Sequence, residues 1–225
     1  MRLCISGCFR PRLEILEMLC GQIIISLSNA RFHSLQMDLL QAKVNPHFLF
    51  NALSSIAHLT LQDPSGAEAA VLKLSKLYRY VLTSASSTLV ELEKELEIVR
   101  AYLVLEKIRF GAKLDFSIAA EGDISRVKLP GMLIQPLVEN SIRHGISQKI
   151  GPGKVSVQVR VEGARCRISV QDNGDEGSKS MGGTGFGMKS VQERLKLVYG
   201  DDYTFGISRS MGYRVEIGIP IREAI

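Results

Sequence analysis

Apolar residues recur at three- and four-residue spacing through the first half of this chain and alternate with polar ones through much of the second. Residues 13–29 carry the helical spacing, with Pro11 where a helix would begin. A second helix is predicted over residues 35–62, bent or interrupted at Pro46, and Asp63-Pro64-Ser65-Gly66 reads as a turn. A third helix follows with Val71, Leu74, Tyr78 and Val81 on one face. These two helices are expected to form an antiparallel hairpin whose thin apolar stripes need a partner, which a dimeric four-helix bundle supplies. A fourth helix is predicted over residues 91–110 on Leu92, Leu96, Val99 and Leu103.

The texture changes at Gly111. Residues 114–118, 155–161 and 167–171 alternate as strands do, and 130–144 reads as a helix. A glycine-rich loop then leads into a helix over 187–199, and strands over 203–208 and 213–219 make a hairpin. The expected fold class is α+β, with a helical hairpin followed by helices layered on a sheet of antiparallel strands.

Composition narrows the classes of function. A formal charge of +5 and a pI near 9.1 suit an anionic partner, but a mildly basic surface is enough to account for them. Lysine and arginine are scattered, with no run of five or six, so a nucleic-acid tail is excluded. Cys4, Cys8, Cys20 and Cys166 have neither zinc-site nor disulfide-framework spacing, which fits a reducing cytosol. No apolar run approaches the roughly 18 residues of a membrane span, and the N-terminus lacks a signal-peptide core.

Three stretches can carry chemistry. In Asn45-Pro46-His47-Phe48-Leu49-Phe50-Asn51, helical spacing puts His47, Asn51, Ser54 and His58 on one stripe and Leu49, Leu53, Ile56 and Thr60 on another. His47 is thereby turned to solvent or another domain, where a neutral imidazole is nucleophilic. A surface histidine bonded to Asn51 satisfies the same pattern. In Gln135-Pro136-Leu137-Val138-Glu139-Asn140-Ser141-Ile142-Arg143-His144-Gly145, Ile134, Val138 and Ile142 face the sheet, while Asn140 and His144 share the opposite side. An asparagine oxygen suits Mg²⁺, and Arg143 or His144 can stand beside phosphates. Alternatively, Asn140 caps a neighbouring loop. Finally, Asp172-Asn173-Gly174 closes a strand and Gly182-Gly183-Thr184-Gly185-Phe186-Gly187 follows. Asp172 can accept from an adenine amino group, and the glycines free backbone N–H groups for phosphates at a helix start. No βαβ unit surrounds that loop, so it is not a Rossmann fingerprint.

Taken in order, these stretches resemble the LytS-type (YehU-type) sensor histidine kinases over residues 35–221. PHFLFN around His47 resembles the phosphoacceptor signature, QPLVENSIRHG the N-box, and DNG with GTGFGMKSVQERLKLVYG the two G-boxes. Tyr102-Leu103-Val104-Leu105-Glu106-Lys107-Ile108-Arg109-Phe110 also fits the family. The resemblance implies a Bergerat-type α/β sandwich that binds ATP over residues 111–225, after a helical dimerisation and phosphoacceptor region over 35–110. It implies Mg²⁺ at Asn140, adenine at Asp172, and phosphate or lid contacts at Gly174, Thr184, Gly185 and Gly187. His47 becomes the phosphoacceptor and Glu139 the candidate general base, with Arg143 and His144 beside the nucleotide. The implied partners are a second copy of the chain and the receiver domain of a response regulator, with no nucleic acid. Residues 1–34 resemble the closing helix of a GAF sensor domain joined to a coupling helix, or are an ordinary amphipathic helix. The chain is then a cytoplasmic piece whose sensor, and any membrane attachment through it, is missing.

Two features depart from common patterns. Asp175-Glu176-Gly177 follows the DNG, which lengthens the lid entrance by one residue. Phe48 stands where many histidine kinases carry an acid, an absence the LytS type shares. For the ATP domain to reach His47, a hinge is expected over residues 89–93. The competing classes are a Bergerat-fold ATPase without histidine transfer and a dimeric nucleotide-binding scaffold. Pro136 stands four residues before Asn140, where such ATPases place a catalytic glutamate, and this counts against water activation.

Overall fold

Two Asx-Pro pairs begin helices in the computed structural model, which describes residues 45–83, 89–174, 186–209 and 212–221. Asn45 accepts the Phe48 N–H on its side-chain oxygen at 3.2 Å, and Pro46 opens helix α1 (Pro46–Gln62). Asp63 likewise accepts the Gly66 N–H at 2.9 Å, and Pro64 opens α2 (Pro64–Thr83). Proline at the first helical position loses no intrahelical bond, and the preceding Asx caps an otherwise orphaned donor. Pro46 is therefore a helix start, and the expected four-residue turn shrinks to Asp63, with Pro64, Ser65 and Gly66 helical. The two helices form the helical hairpin that precedes a mixed sheet. The helix expected over 13–29 and the loop glycines 182–185 lie outside the described residues.

The chain divides into two compact units, residues 1–54 and 55–225. In the described part of the first, Phe48, Leu49 and Ala52 are buried while His47 and Ser54 are exposed. In the second, α2 buries Ala67, Ala70, Leu74, Leu77, Tyr80 and Val81 and packs on α3 (Leu92–Phe110). Helix α3 is buried on most of its circumference, and two of the buried residues are acids, Glu95 and Glu106. The Tyr102 hydroxyl donates to Glu106 at 3.1 Å and Arg109 pairs with the same carboxylate, so this acid is satisfied within its own helix.

The segment expected to be a hinge is bonded into the second unit. Strand β1 (Val90–Glu91) pairs antiparallel with β3 (Lys128–Leu129), and the Leu92 N–H donates to the Val127 carbonyl at 2.9 Å. Those ladder bonds oppose rotation at residues 89–93.

Five strands make the main sheet, in the order β2 (Leu114–Glu121), β4 (Gly153–Glu162), β5 (Arg165–Asp172), β7 (Arg214–Pro220), β6 (Thr204–Ser208). The expectation of antiparallel strands holds for four of them, but β2 runs parallel to β4. The intervening chain includes β3 and α4 (Gln135–Asn140), and such a crossover is what parallel pairing requires. Alternation puts Val155, Val157 and Val159, then Cys166, Ile168 and Val170, then Val215, Ile217 and Ile219 on one buried face. Gln158, Arg160, Arg167 and Glu216 are exposed on the other. Each buried Val or Ile contributes roughly 1.5–3 kcal/mol, so the sheet's inner face dominates its stability. Helix α4 runs on into a π-helical turn (Ser141–Ile146) that packs on β4 and β5, while α5 (Phe186–Tyr199) packs on α4.

Candidate functional site

The β5 register predetermines where Asp172 goes. It continues the buried series Cys166, Ile168, Val170 by one step, so its carboxyl points under the helical layer and is only 2 % exposed. There it accepts the Gly174 N–H at 2.9 Å and a bond from the Ser141 hydroxyl. Burial raises its pKa above the ordinary aspartate value, while these bonds, one from the Tyr213 backbone and the charge of His144 pull it back.

The second wall comes from α4 and the π-turn. Ile134, Val138 and Ile142 are buried as the periodicity predicts, which leaves Asn140 and His144 part-exposed. The widened turn brings Gly145 against Asp172: a Cβ on Gly145 would lie 2.5 Å from Asp172 Oδ1. A Cβ on Gly174 would lie 2.6 Å from the Gly145 Cα. Three motif residues thus close-pack only because two of them lack side chains. His144 is held below the usual histidine pKa by burial and by Arg143, against the pull of Asp172, so it is neutral near pH 7. Arg143 is exposed.

Gly187 stands in the first turn of α5, where a Cβ would meet Asn140 Nδ2 at 3.5 Å. Asn140, Ser141, Gly145, Asp172, Gly174 and Gly187 are therefore one contiguous group built from α4, the end of β5 and the start of α5. Thr184 and Gly185 lie outside the described residues, as does Gly177. Glu139 turns the other way: it accepts from Gln135 Nε2 at 2.9 Å, and its pKa is raised by burial and by nearby Glu106. Nothing in the sequence pattern marks Ser141 or Gly145 as a site residue. Gly145 closes the recognised motif, but the π-turn that aims it has no local sequence signature.

His47 lies on α1, exposed, with the Asn51 amide nitrogen 3.3 Å from its ring nitrogens. His58 and Ser54 are also exposed, while Asn51 is half-buried. Among the described residues no group of three or more His, Cys, Asp or Glu side chains could hold a metal, and no helix is long and apolar enough to cross a membrane. Cys166 is a buried free thiol, its pKa pushed up to about 11 by burial, and the other cysteines lie outside the described residues.

The second unit is thus a mixed sheet under helices, with the buried Asp172 carboxyl beside the helix that carries Asn140. Residues 126–223 match the model of the "Histidine kinase-, DNA gyrase B-, and HSP90-like ATPase" family, and residues 35–114 match the model of the "Histidine kinase" family. The sensor histidine kinase BtsS of Escherichia coli K12 is 36 % identical over 197 residues, 86 % of this chain and 35 % of that protein. The sensor protein LytS of Enterococcus faecalis is 33 % identical over 198 residues, 82 % of this chain and 34 % of that protein. A solved histidine kinase domain from the blue-light activated kinase EL346 of Erythrobacter litoralis is 21 % identical and superposes with a TM-score of 0.45, covering 82 % of this chain and 92 % of that one. The chain belongs to the histidine kinase family, among the relatives of LytS, BtsS and YpdA. It spans about a third of the length of these curated relatives.

Proposed function

We propose that this chain is the kinase portion of a two-component sensor, which transfers the γ-phosphoryl group of ATP to His47 and passes it on to an aspartate of a receiver domain. The observation that carries this reading is the buried Asp172 carboxyl packed against Gly145 and Gly174, beside Asn140 and Gly187. In it, Asp172 accepts the adenine amino group, and Gly174 lets the base approach the backbone. Thr184, Gly185 and Gly187 contact phosphates, with Arg143 and His144 at their flank. Asn140 fits Mg²⁺ as a lone protein oxygen ligand, because that ion keeps waters and phosphate oxygens as its other partners. When bound, it neutralises phosphate charge.

An imidazole in its neutral form offers one ring nitrogen with a free electron pair, and that nitrogen of His47 is the attacking atom. As the N–P bond forms, the bond from the γ-phosphorus to the bridging oxygen breaks and ADP leaves with the electron pair. The other ring nitrogen then sheds its proton. Glu139, next to Asn140 in the chain, is the proposed acceptor; its carboxylate has to turn from the Gln135 amide that donates to it before it can take that proton. Exposed Phe50 and Leu61 on α1 and Leu72 and Leu82 on α2 support a homodimer through the hairpin region over residues 35–110. The 111–225 region then holds the nucleotide, the 1–34 segment couples to a GAF-type sensor, and the protein works on the cytoplasmic side. The alternatives of a plain ATPase or a scaffold have no observation in their favour.

The test is incubation with γ-labelled ATP and Mg²⁺, then with a receiver domain. Acid-labile, alkali-stable label on the chain that chases to the receiver is expected. A folded, ATP-binding protein that never acquires label is a scaffold instead, and one that only releases inorganic phosphate is an ATPase.

The Asp172 role also sets a pH dependence. Adenine binding favours the ionised carboxylate, and burial has raised the pKa of the free site, so binding releases a proton. Affinity for ADP should fall as pH drops through the acid range and level off above it. Asp172→Asn should bind more weakly and lose that acid-side slope. Calorimetric titration across pH checks this, and equal slopes in both proteins would remove Asp172 from adenine recognition.

A further inference from the structure

Glu95 of α3 is fully buried, outside the group of residues proposed to hold ATP. An unpaired carboxylate there would cost several kcal/mol, so its partners define what it does. Its Oε1 accepts the N–H of Ile134 at 3.0 Å and of Gln135 at 3.4 Å; its Oε2 accepts the N–H of Met132 at 3.1 Å and the hydroxyl of Tyr80. Three of the four donors belong to the turn that starts α4. Arg194 of α5 holds the same turn from its carbonyl side, donating to Gly131 and Met132 oxygens at 2.8 Å each.

The gripped turn is strained. Met132 has φ +59, a left-handed conformation that is unfavourable for a non-glycine residue and persists only where its surroundings over-determine it. The helix that leaves this turn ends on Asn140, which lies near Gly187 at the head of α5: a Cβ there would fall 3.5 Å from its Nδ2. Helices α4 and α5 are thus tied together by Arg194 at the turn and lie close to each other again at Asn140 and Gly187. The fourth donor, Tyr80, comes from α2 of the hairpin.

We infer that Glu95 is a positioning residue for nucleotide binding, and that its hydrogen bond from Tyr80 couples helix α2 to the helices that carry Asn140 and Gly187. The inference rests on the reading of those residues as ATP ligands. A displacement of α2 that withdraws the Tyr80 hydroxyl leaves Glu95 short of a donor, loosens its hold on Met132, and lets the start of α4 move with Asn140. Linkage makes the effect reciprocal, so nucleotide binding tightens α2 by the same factor.

The full chain with Tyr80→Phe keeps the buried ring and deletes only the hydroxyl. Its Kd for the fluorescent analogue TNP-ATP should rise about fivefold, the lower end of ordinary coupling between sites. Amide exchange over residues 64–83 should slow when nucleotide binds the wild type and should not respond in the variant. Glu95→Gln should weaken binding as well, and the double variant should fall short of the sum because both changes break one bond. Unchanged affinity in Tyr80→Phe, or a lowered melting temperature with affinity intact, would reduce the cluster to a structural one and overturn the inference. Absence of nucleotide-dependent protection over 64–83 in the wild type overturns it without any variant. A wild type that binds no TNP-ATP overturns the ATP-site reading itself, which separates that failure from the others.

Discussion

His47→Gln should remain folded, bind ATP as the wild type does, and acquire no acid-labile phosphate. His47 is exposed on the first turn of α1, with the Asn51 amide 3.3 Å away, so removing the imidazole opens no cavity. Exposed substitutions of this kind change stability by roughly 0.5 kcal/mol or less, and the melting temperature should barely move. Label should nonetheless fall to background, because a glutamine amide has no basic lone pair with which to attack phosphorus. His58 is the internal control: it shares the helix and the exposed stripe, so His58→Gln should label normally. Label on His47→Gln would mean that another histidine is the acceptor. Its loss together with nucleotide binding would mean that the substitution acts through folding.

Much of this site could be read directly because it follows periodic rules. Alternation along β5 carries Cys166, Ile168 and Val170 inward and delivers Asp172 to the same face. Helical spacing buries Ile134, Val138 and Ile142 and so leaves Asn140 accessible. What escapes is set by tertiary partners. The helix expected to begin at Pro130 starts at Gln135, because Glu95 and Arg194 hold residues 131–135 in a turn. Neither residue is near that turn in sequence. Glu95 did leave a trace: it stands three residues after Leu92 and four before Val99, an acid in phase with an apolar stripe. Such an acid must be neutralised or bonded, and here it caps a helix. The parallel pairing of β2 with β4 has no comparable trace, since alternation reports which face is buried and not the direction of a neighbour. Asn45-Pro46 and Asp63-Pro64 were ambiguous for a third reason. An Asx-Pro pair suits a turn and a capped helix start equally, and only the apolar spacing after it decides.

Gly145→Ala tests the core of the nucleotide site with the smallest possible change. The added methyl would lie 2.5 Å from Asp172 Oδ1 and 2.6 Å from its Cγ, well inside contact distance. One of the two groups must move, and Gly145 is fixed in the π-turn by the Ser147 N–H bond to the Ile142 carbonyl at 2.9 Å. The carboxyl therefore gives way, and with it the bonds from Gly174 and Ser141 that aim it. Overpacking of this kind costs about 1–3 kcal/mol of stability, which a thermal melt will show as a clear decrease without unfolding at 25 °C. A charge-assisted hydrogen bond contributes about 1.5–3 kcal/mol, so ADP affinity should fall roughly tenfold to a hundredfold. Gly206→Ala supplies the comparison, because a Cβ at that β6 position meets nothing within 4 Å and should alter neither quantity much. The decisive pattern is affinity lost out of proportion to stability in the first variant alone. If Gly145→Ala is destabilised yet binds ADP as tightly as the wild type, the Asp172 carboxyl can be displaced without consequence, and the adenine acceptor must be another group.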